Sequence, residues 1–403
     1  MMTGMKTLIA HSRRYAIVTE TWRPQVNGVA NTLGRLCDGL VAAGHHLQLI
    51  RPAQADEPPA PNESEPLQQI LVKGLPIPGY RQLQFGLPAY RRLLGHWQEK
   101  RPDSVYIATE GPLGWSALRA AKRLGIPVIS GFHTNFQQYS EHYRLGLFSR
   151  PLTGYLRWFH NQTLATLTAS STQLHELSRM GITNSMLLGR GVDCEGFHPA
   201  HRDPELRQRW GAKEGDILLL HVGRLAAEKN LQLLERSWQH ARQHSPQGAR
   251  VHMIVVGDGP QRKALQHGLP GAVFTGTLTG DDLAAAYASA DVFLFPSLTD
   301  TFGNVVTEAM ASGLAVVAFD TAAAHQHIRD RYSGCLAAPA DEQQYLENLG
   351  WLLKDKEALR GIRMHARHRA CQLDWSAVLR RFEGYLNRHQ TAPVRMRAAV
   401  PGK

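Results

Sequence analysis

Long apolar runs are missing from this 403-residue chain, and none approaches the roughly 20 residues a membrane-spanning helix requires. The first ten residues carry only the short stretch Thr7–Ala10 before Arg13 and Arg14, too little for a secretory leader. Cysteine is scarce. Cys37, Cys194, Cys335 and Cys371 lie far apart and form no C-x-x-C pair, which argues against a zinc site and for a reducing compartment. These absences predict a cytoplasmic protein. What is present is ordinary globular composition, 43% hydrophobic and 20% charged, which excludes disorder, collagen-like repeats and a disulfide scaffold. At about 150 residues per domain the length predicts two or three domains, each large enough for its own core.

Acidic charge is in deficit: the formal net charge is +11. The excess is local, since residues 80–157 hold 11 basic residues against 4 acidic ones. Such a face can meet nucleic acid, an anionic membrane or a phosphorylated ligand, or be simply a soluble surface. No recognised nucleic-acid module accompanies it, so no nucleic-acid partner is expected.

Apolar strand, glycine-containing turn and amphipathic helix recur along the chain. Strands are predicted over 15–19, 46–50, 104–108 and 127–130, with helices over 28–41 and 115–124. The proline-dense stretch 51–66 reads as a loop. A second series has strands over 216–222, 250–257, 272–275, 291–296 and 314–319, with helices over about 230–243, 281–289 and 303–312. This alternation predicts an α/β protein of two doubly wound parallel-sheet domains. The expected division is 13–195 for a first domain and 196–375 for a second. A C-terminal helix over 376–390 then returns to the first domain, and 391–403 form a tail. Ligands of such folds bind in the crevice at the carboxyl ends of the strands.

The strand ends carry the candidate chemistry. Gly223 turns the chain after one strand, and Arg224 and Lys229 then offer two cations, a set suited to a diphosphate. In Thr299-Asp300-Thr301-Phe302-Gly303-Asn304 a strand runs into a helix expected to begin near Phe302, whose first N–H groups favour an anion. Asp300 could serve simply as its N-cap. Glu308, among Val305, Ala309 and Ala311, needs a partner such as a pair of ribose hydroxyls. Gly28 opens a helix where backbone can approach a ligand closely, and His133 ends another strand.

Taken in order, Thr19–Val29, Phe132-His133-Thr134, Gly189–Asp193, Gly223-Arg224 with Lys229, and Thr299–Met310 resemble glycosyltransferase family 4. The likeness runs from about residue 15 to 388. It is greatest to the subgroup of GDP-mannose-dependent α-mannosyltransferases and bacterial enzymes that make glycosyl- and sulfoquinovosyl-diacylglycerol. The resemblance implies the GT-B fold, two Rossmann-like domains around a cleft. It implies that Glu308 holds the donor ribose, Arg224 and Lys229 the diphosphate, and Gly28 a loop over the phosphates. Asp300 and the backbone of Phe302, Gly303 and Asn304 would hold the transferred sugar, and His133 would face it from the other domain. Arg190 would contact a phosphate or the acceptor, and the backbone around Thr275 to Thr279 the base. Two departures stand out: the first acid is Asp300 rather than Glu, and the segment 321–326 lacks the family's usual Glu.

The chemistry implied is retaining hexosyl transfer from a GDP- or UDP-sugar, with no bound cofactor, no metal and no protein nucleophile. The acceptor expected is a membrane lipid, which would place the protein peripherally on the inner face of the cytoplasmic membrane. The basic region supports this. Leu87, Tyr90, Leu94 and Trp97 share a helical face beside Arg91 and Arg92, and the stretch 142–160 mixes Tyr143, Leu147, Phe148, Leu152, Tyr155, Trp158 and Phe159 with Arg144, Arg150 and Arg157. A soluble sugar acceptor and a GT-B nucleotide-sugar epimerase are the alternatives. A nicotinamide dehydrogenase is rejected because Gly257-Asp258-Gly259-Pro260 lacks the third glycine. Nothing in the sequence sets the oligomeric state.

Overall fold

A computed structural model of the chain describes residues 12–23, 25, 28–54, 66–77, 80–133, 149–244, 250–300 and 302–388. Its first sheet contains β1 (Arg14–Val18), β2 (His46–Pro52), β3 (Leu67–Val72), β6 (Ser104–Ile107), β7 (Val128–Phe132), β8 (Ala165–Thr168) and β9 (Ser185–Leu187). They run parallel in the order β3-β2-β1-β6-β7-β8-β9, while β4 (Gly74–Ile77) and β5 (Tyr80–Gly86) form a separate antiparallel pair. The second sheet, also parallel, is β12-β11-β10-β13-β14-β15. Its strands are β10 (Ile217–Val222), β11 (Val251–Val256), β12 (Val273–Gly276), β13 (Val292–Phe295), β14 (Ala315–Phe319) and β15 (Cys335–Ala337).

Central strands such as β10 are apolar at nearly every position because helices cover both faces, and all six of its residues are buried. Strand order reverses between β1 and β6 in one sheet and between β10 and β13 in the other. The crevices at those two reversals are where doubly wound sheets take ligands.

Among the described residues the chain crosses between the domains twice. After the stretch around Val192 it enters the second domain, where buried Asp291 binds Arg202, Arg207 and Arg363, each at 3.0 Å. At the far end the helix Trp375–Leu386 returns to the first core. There Phe382 meets the Tyr106 ring edge-on at 4.9 Å, and Asn387 accepts a 2.9 Å bond from the Tyr15 hydroxyl.

Several elements differ from the sequence expectation. Arg51 and Pro52 extend β2, and the helix expected from 115 begins at Pro112, with Gly111 as its cap. The strands β8, β9 and β15, three or four residues each, are too short to show a period. The aromatic face expected to enter a membrane is instead core. Leu93 and Trp97 are fully buried, Tyr90 and Leu94 pack on the same cluster, and Trp97 Nε1 donates to Gln48 Oε1 at 3.1 Å. In the helix Ser149–Asn161, Leu156 and Phe159 are buried and Leu152 and Tyr155 partly so. Only Trp158, 46% exposed, faces out beside exposed Arg157. Residues 142–148 lie outside the described residues.

Candidate active site

The turn that follows β10 is built by backbone. Gly223 N–H donates to Val256 O, Leu225 N–H to Asp258 O and Gln261 N–H to Leu225 O, at 2.9–3.0 Å. Gly257, at φ +134°, packs so closely that a Cβ would lie 1.9 Å from Gly223 O, and one on Gly259 would lie 2.3 Å from Leu225 O. The Gly-Asp-Gly segment that fails as a dinucleotide fingerprint thus backs the turn carrying Arg224. His221 lies beneath that turn. Its Nδ1–H donates to Leu294 O at 3.1 Å, and burial pushes its pKa down to about 4, so the ring is neutral.

The two expected cations are not bare. Exposed Arg224 lies 3.7 Å from Glu228, and Lys229 Nζ donates to Asp300 Oδ1 at 2.6 Å. Burial alone would raise the Asp300 pKa, but the Lys229 ammonium outweighs it and holds the carboxylate below its usual range. Thr299 Oγ1 donates to Glu228 O at 2.8 Å, tying the two strand-end loops together. Lys229 sits in a single 3₁₀ turn, Ala227–Lys229, and the following helix starts at Leu231.

The helix expected from Phe302 begins at Asn304 and ends at Ala311. Gly303 precedes it at φ +84°, a left-handed conformation that keeps Phe302 out of the helix. The Phe302 ring is 3% exposed and edge-on to His327, so only its backbone can face a ligand. Its carbonyl already accepts from Ala323 N–H at 2.8 Å. Glu308 has the partner its surroundings demand: Tyr287 Oη donates to Oε2 at 3.1 Å. Burial raises the Glu308 pKa to about 7, against the pull of Tyr287 and of Arg35 from the first domain. Arg35 also binds Asp193 at 2.6 Å. Neither Tyr287 nor Arg35 stood in a strand-end motif, so no sequence signal marked them.

Across the cleft, Gly28, the first residue of the helix Gly28–Ala42, lies against Asn304, the first of the helix Asn304–Ala311. A Cβ on Gly28 would lie 3.4 Å from Asn304 Nδ2. Two positive helix ends therefore meet, and Lys229, through Asp300 against Gly303, stands near the second of them, a setting for a polyanion.

His133 belongs to a second cluster. Its Nδ1 accepts from Arg190 Nη2 at 3.1 Å, and Nε2 is bonded to Tyr106 Oη at 2.8 Å. Both ring nitrogens of His133, the residue expected to face the sugar from the first domain, are thus engaged within that domain. Burial, and then Arg190, push its pKa down to about 3. Arg190 is buried too, which pulls its own pKa down to about 10, and no carboxylate among the described residues pairs with it. Thr275 lies on β12, its hydroxyl donating to Gly276 O at 2.9 Å. No three His, Cys, Asp or Glu side chains gather around a metal position among the described residues.

Two parallel-sheet domains facing each other across such a cleft define the GT-B fold. The fold is shared with sucrose-phosphate synthase from Thermosynechococcus elongatus, with a TM-score of 0.75 at 17% identity over 94% of this chain and 99% of that one. Residues 26–196 match the model of Glycosyltransferase Family 4, and residues 216–355 match that of Glycosyl transferases group 1. The chain is 38% identical over 310 residues to a GDP-mannose-dependent alpha-mannosyltransferase of Mycolicibacterium smegmatis, covering 76% of this chain and 80% of that one. It is 26% identical to an alpha-monoglucosyldiacylglycerol synthase of Streptococcus pneumoniae, over 80% and 75% of the two chains. The protein belongs to glycosyltransferase family 4.

Proposed function

We propose that the protein moves a hexose of the mannose or glucose type from a nucleoside-diphosphate sugar to a diacylglycerol-type lipid, with retention and without a metal ion. The observation that carries this reading is the meeting of two helix N-termini, at Gly28 and Asn304, with Lys229 held nearby by Asp300. In this reading the donor diphosphate lies between them and draws Lys229 from Asp300, leaving Asp300 to bind a sugar hydroxyl. Glu308 accepts from the ribose hydroxyls, the backbone at 302–304 borders the sugar, and the base lies along the backbone near Thr275. Buried Arg190, oriented by His133, meets an anionic group of donor or acceptor. The acceptor hydroxyl attacks C1 as the bond to the diphosphate breaks, and a diphosphate oxygen takes the hydroxyl proton on the same face. The enzyme's contribution is position and stabilisation of the leaving charge.

The name of the diacylglycerol-acting relative supports the lipid acceptor. So do exposed Arg91, Arg92, Arg157 and Trp158 on the first domain. Burial of the Trp97 face favours the second reading, a soluble sugar acceptor. The test is incubation with GDP-mannose or UDP-glucose in EDTA, with and without dioleoylglycerol in micelles. Nucleoside diphosphate and a glycolipid are expected, undiminished by the chelator. Release in response to soluble sugars alone supports the second reading. A new sugar nucleotide, or activity that requires added magnesium or manganese, overturns the proposal.

A further inference from the structure

We propose that the second domain carries a phosphate-binding site, distinct from the donor cleft, in a cavity between the end of the helix Lys356–Ala370 and the loop 326–333 that leads into β15. The cavity has a volume of about 310 Å³. Around it stand Arg329, Arg369, His327, His365 and His368, and neither an aspartate nor a glutamate lines it. None of the residues assigned to donor binding lines it either. Among the described residues neither arginine is paired with a carboxylate: Arg369 donates to an amide, and Arg329 lies over an aromatic ring.

Two features separate this cavity from a loose basic surface. The first is a buried orphan. Both ring nitrogens of His327 are shielded from solvent and lack a hydrogen-bond partner among the described residues. Burial, and then Arg369, push the His327 pKa down to about 4, so the ring is neutral and carries one N–H without an acceptor. A buried donor left unmatched is costly, and a phosphate oxygen beside Arg369 matches it. The second feature is fixed geometry. His365 lies flat on the Tyr332 ring, with centroids 3.9 Å and planes 16° apart, and the Arg329 guanidinium stands 5.2 Å from the centre of the same ring. Arg369 donates to Gln372 Oε1 at 2.9 Å, which turns the amide so that its Nε2 donates to His368 Nε2 at 3.2 Å. His368 thereby keeps its proton on Nδ1, as a donor. Guanidinium and imidazole N–H groups held this way are donors that phosphate oxygens accept from. A metal is the other use of three histidines, but they do not gather around a metal position, and two arginines repel a cation.

The cavity has room for more than a bare phosphate ion, and Tyr332 adds an apolar ring to its wall. The ligand class is therefore a phosphate ester, either soluble or the headgroup of a phospholipid. Calorimetric titration of the full chain with glycerol 3-phosphate tests this. Saturable binding is expected, about tenfold weaker in Arg369→Gln and in His327→Gln, because each loses a hydrogen bond to a charged group. Arg329→Gln, at an exposed position, gives the same weakening and serves if the His327 variant fails to fold. Arg224→Ala, the control at the donor cleft, binds as wild type does. Competition with vesicles of phosphatidic acid in phosphatidylcholine separates the two sources. Vesicles that displace the soluble ester assign the site to a lipid headgroup, and vesicles that do not assign it to a soluble phosphate ester. The readout is binding alone, so it stands or fails separately from the proposed transfer. Absence of saturable binding, binding that the cavity variants leave unchanged, or a loss in Arg224→Ala each overturns the proposal.

Discussion

At the scale of single residues, two carboxyl groups sit where burial works against their charge. Glu308 titrates near 7, so below that pH it must lose a proton to accept hydrogen bonds from a ribose. Donor KM is therefore expected to rise as pH falls from 8 to 6, and kcat/KM profiles check this. Glu308→Gln should flatten the profile and lower kcat/KM at pH 8 by roughly ten- to hundredfold, because a hydrogen bond to a charged group is worth ~1.5–3 kcal/mol. A wild-type KM that is flat across this range excludes the ribose role. Glu20, beyond the end of β1, is the other case. Burial pushes it up to about 7, Glu110 adds to this, and its Oε1 lacks a hydrogen-bond partner among the described residues. Between the unfolded carboxyl value of ~4.5 and 7, the folded state holds a proton that the unfolded state has lost. Glu20 thus costs stability increasingly as pH rises. The melting-temperature advantage of Glu20→Gln over wild type should grow from pH 5 to pH 8, and an advantage equal at both values contradicts this account.

At the scale of elements, the donor site depends on how closely backbone meets backbone. The turn 223–225 rests on Gly257, where a Cβ would collide with Gly223 O and φ is +134°. Gly257→Ala should therefore destabilise the second domain by about 2–3 kcal/mol. It should also weaken nucleotide binding, because Arg224 rides on the displaced turn. Gly125→Ala is the control, since Gly125 also has a positive φ, +64°, but faces open space in the first domain. Calorimetric titration with a nucleoside diphosphate separates the two: equal binding losses in both variants would deny Gly257 its supporting role. The motifs Gly223-Arg224 and Thr299–Met310 were legible from sequence because a strand, a glycine turn and a helix start are local events. Where the helix begins was less legible. Gly303 takes a left-handed conformation against the Phe295 ring, eight residues back across the loop at the end of β13, and that fold-back has no local pattern.

At the scale of the whole molecule, apolar periodicity identified the right faces and gave Trp97 the wrong environment. Trp97→Ala should cost about 3–5 kcal/mol of stability, as large-to-small core changes do, and leave any membrane affinity of the folded protein unchanged. Exposed Arg91, Arg92 and Arg157 should instead govern binding to anionic vesicles, at ~1 kcal/mol each. Flotation at low salt checks both. Wild type and a folded Trp97 variant should float with phosphatidylglycerol vesicles, and the triple Arg→Glu variant should not. Failure of wild type to float removes the membrane from the proposed function.

From the sequence alone came two parallel-sheet domains, a basic first domain, and the residues Arg224, Lys229, Asp300 and Glu308 at strand ends. Strand–turn–helix alternation and charge are properties of neighbouring residues, so they can be read without the fold. Tertiary structure decided the rest. It paired Lys229 with Asp300 and Glu308 with Tyr287, closed His133 between Arg190 and Tyr106, and brought Gly28 to Asn304. Most of these partners lie twenty to nearly three hundred positions apart, and which of them meet is set by how helices and domains pack. Periodicity tells which side of a helix is apolar; only packing tells whether protein or membrane covers it.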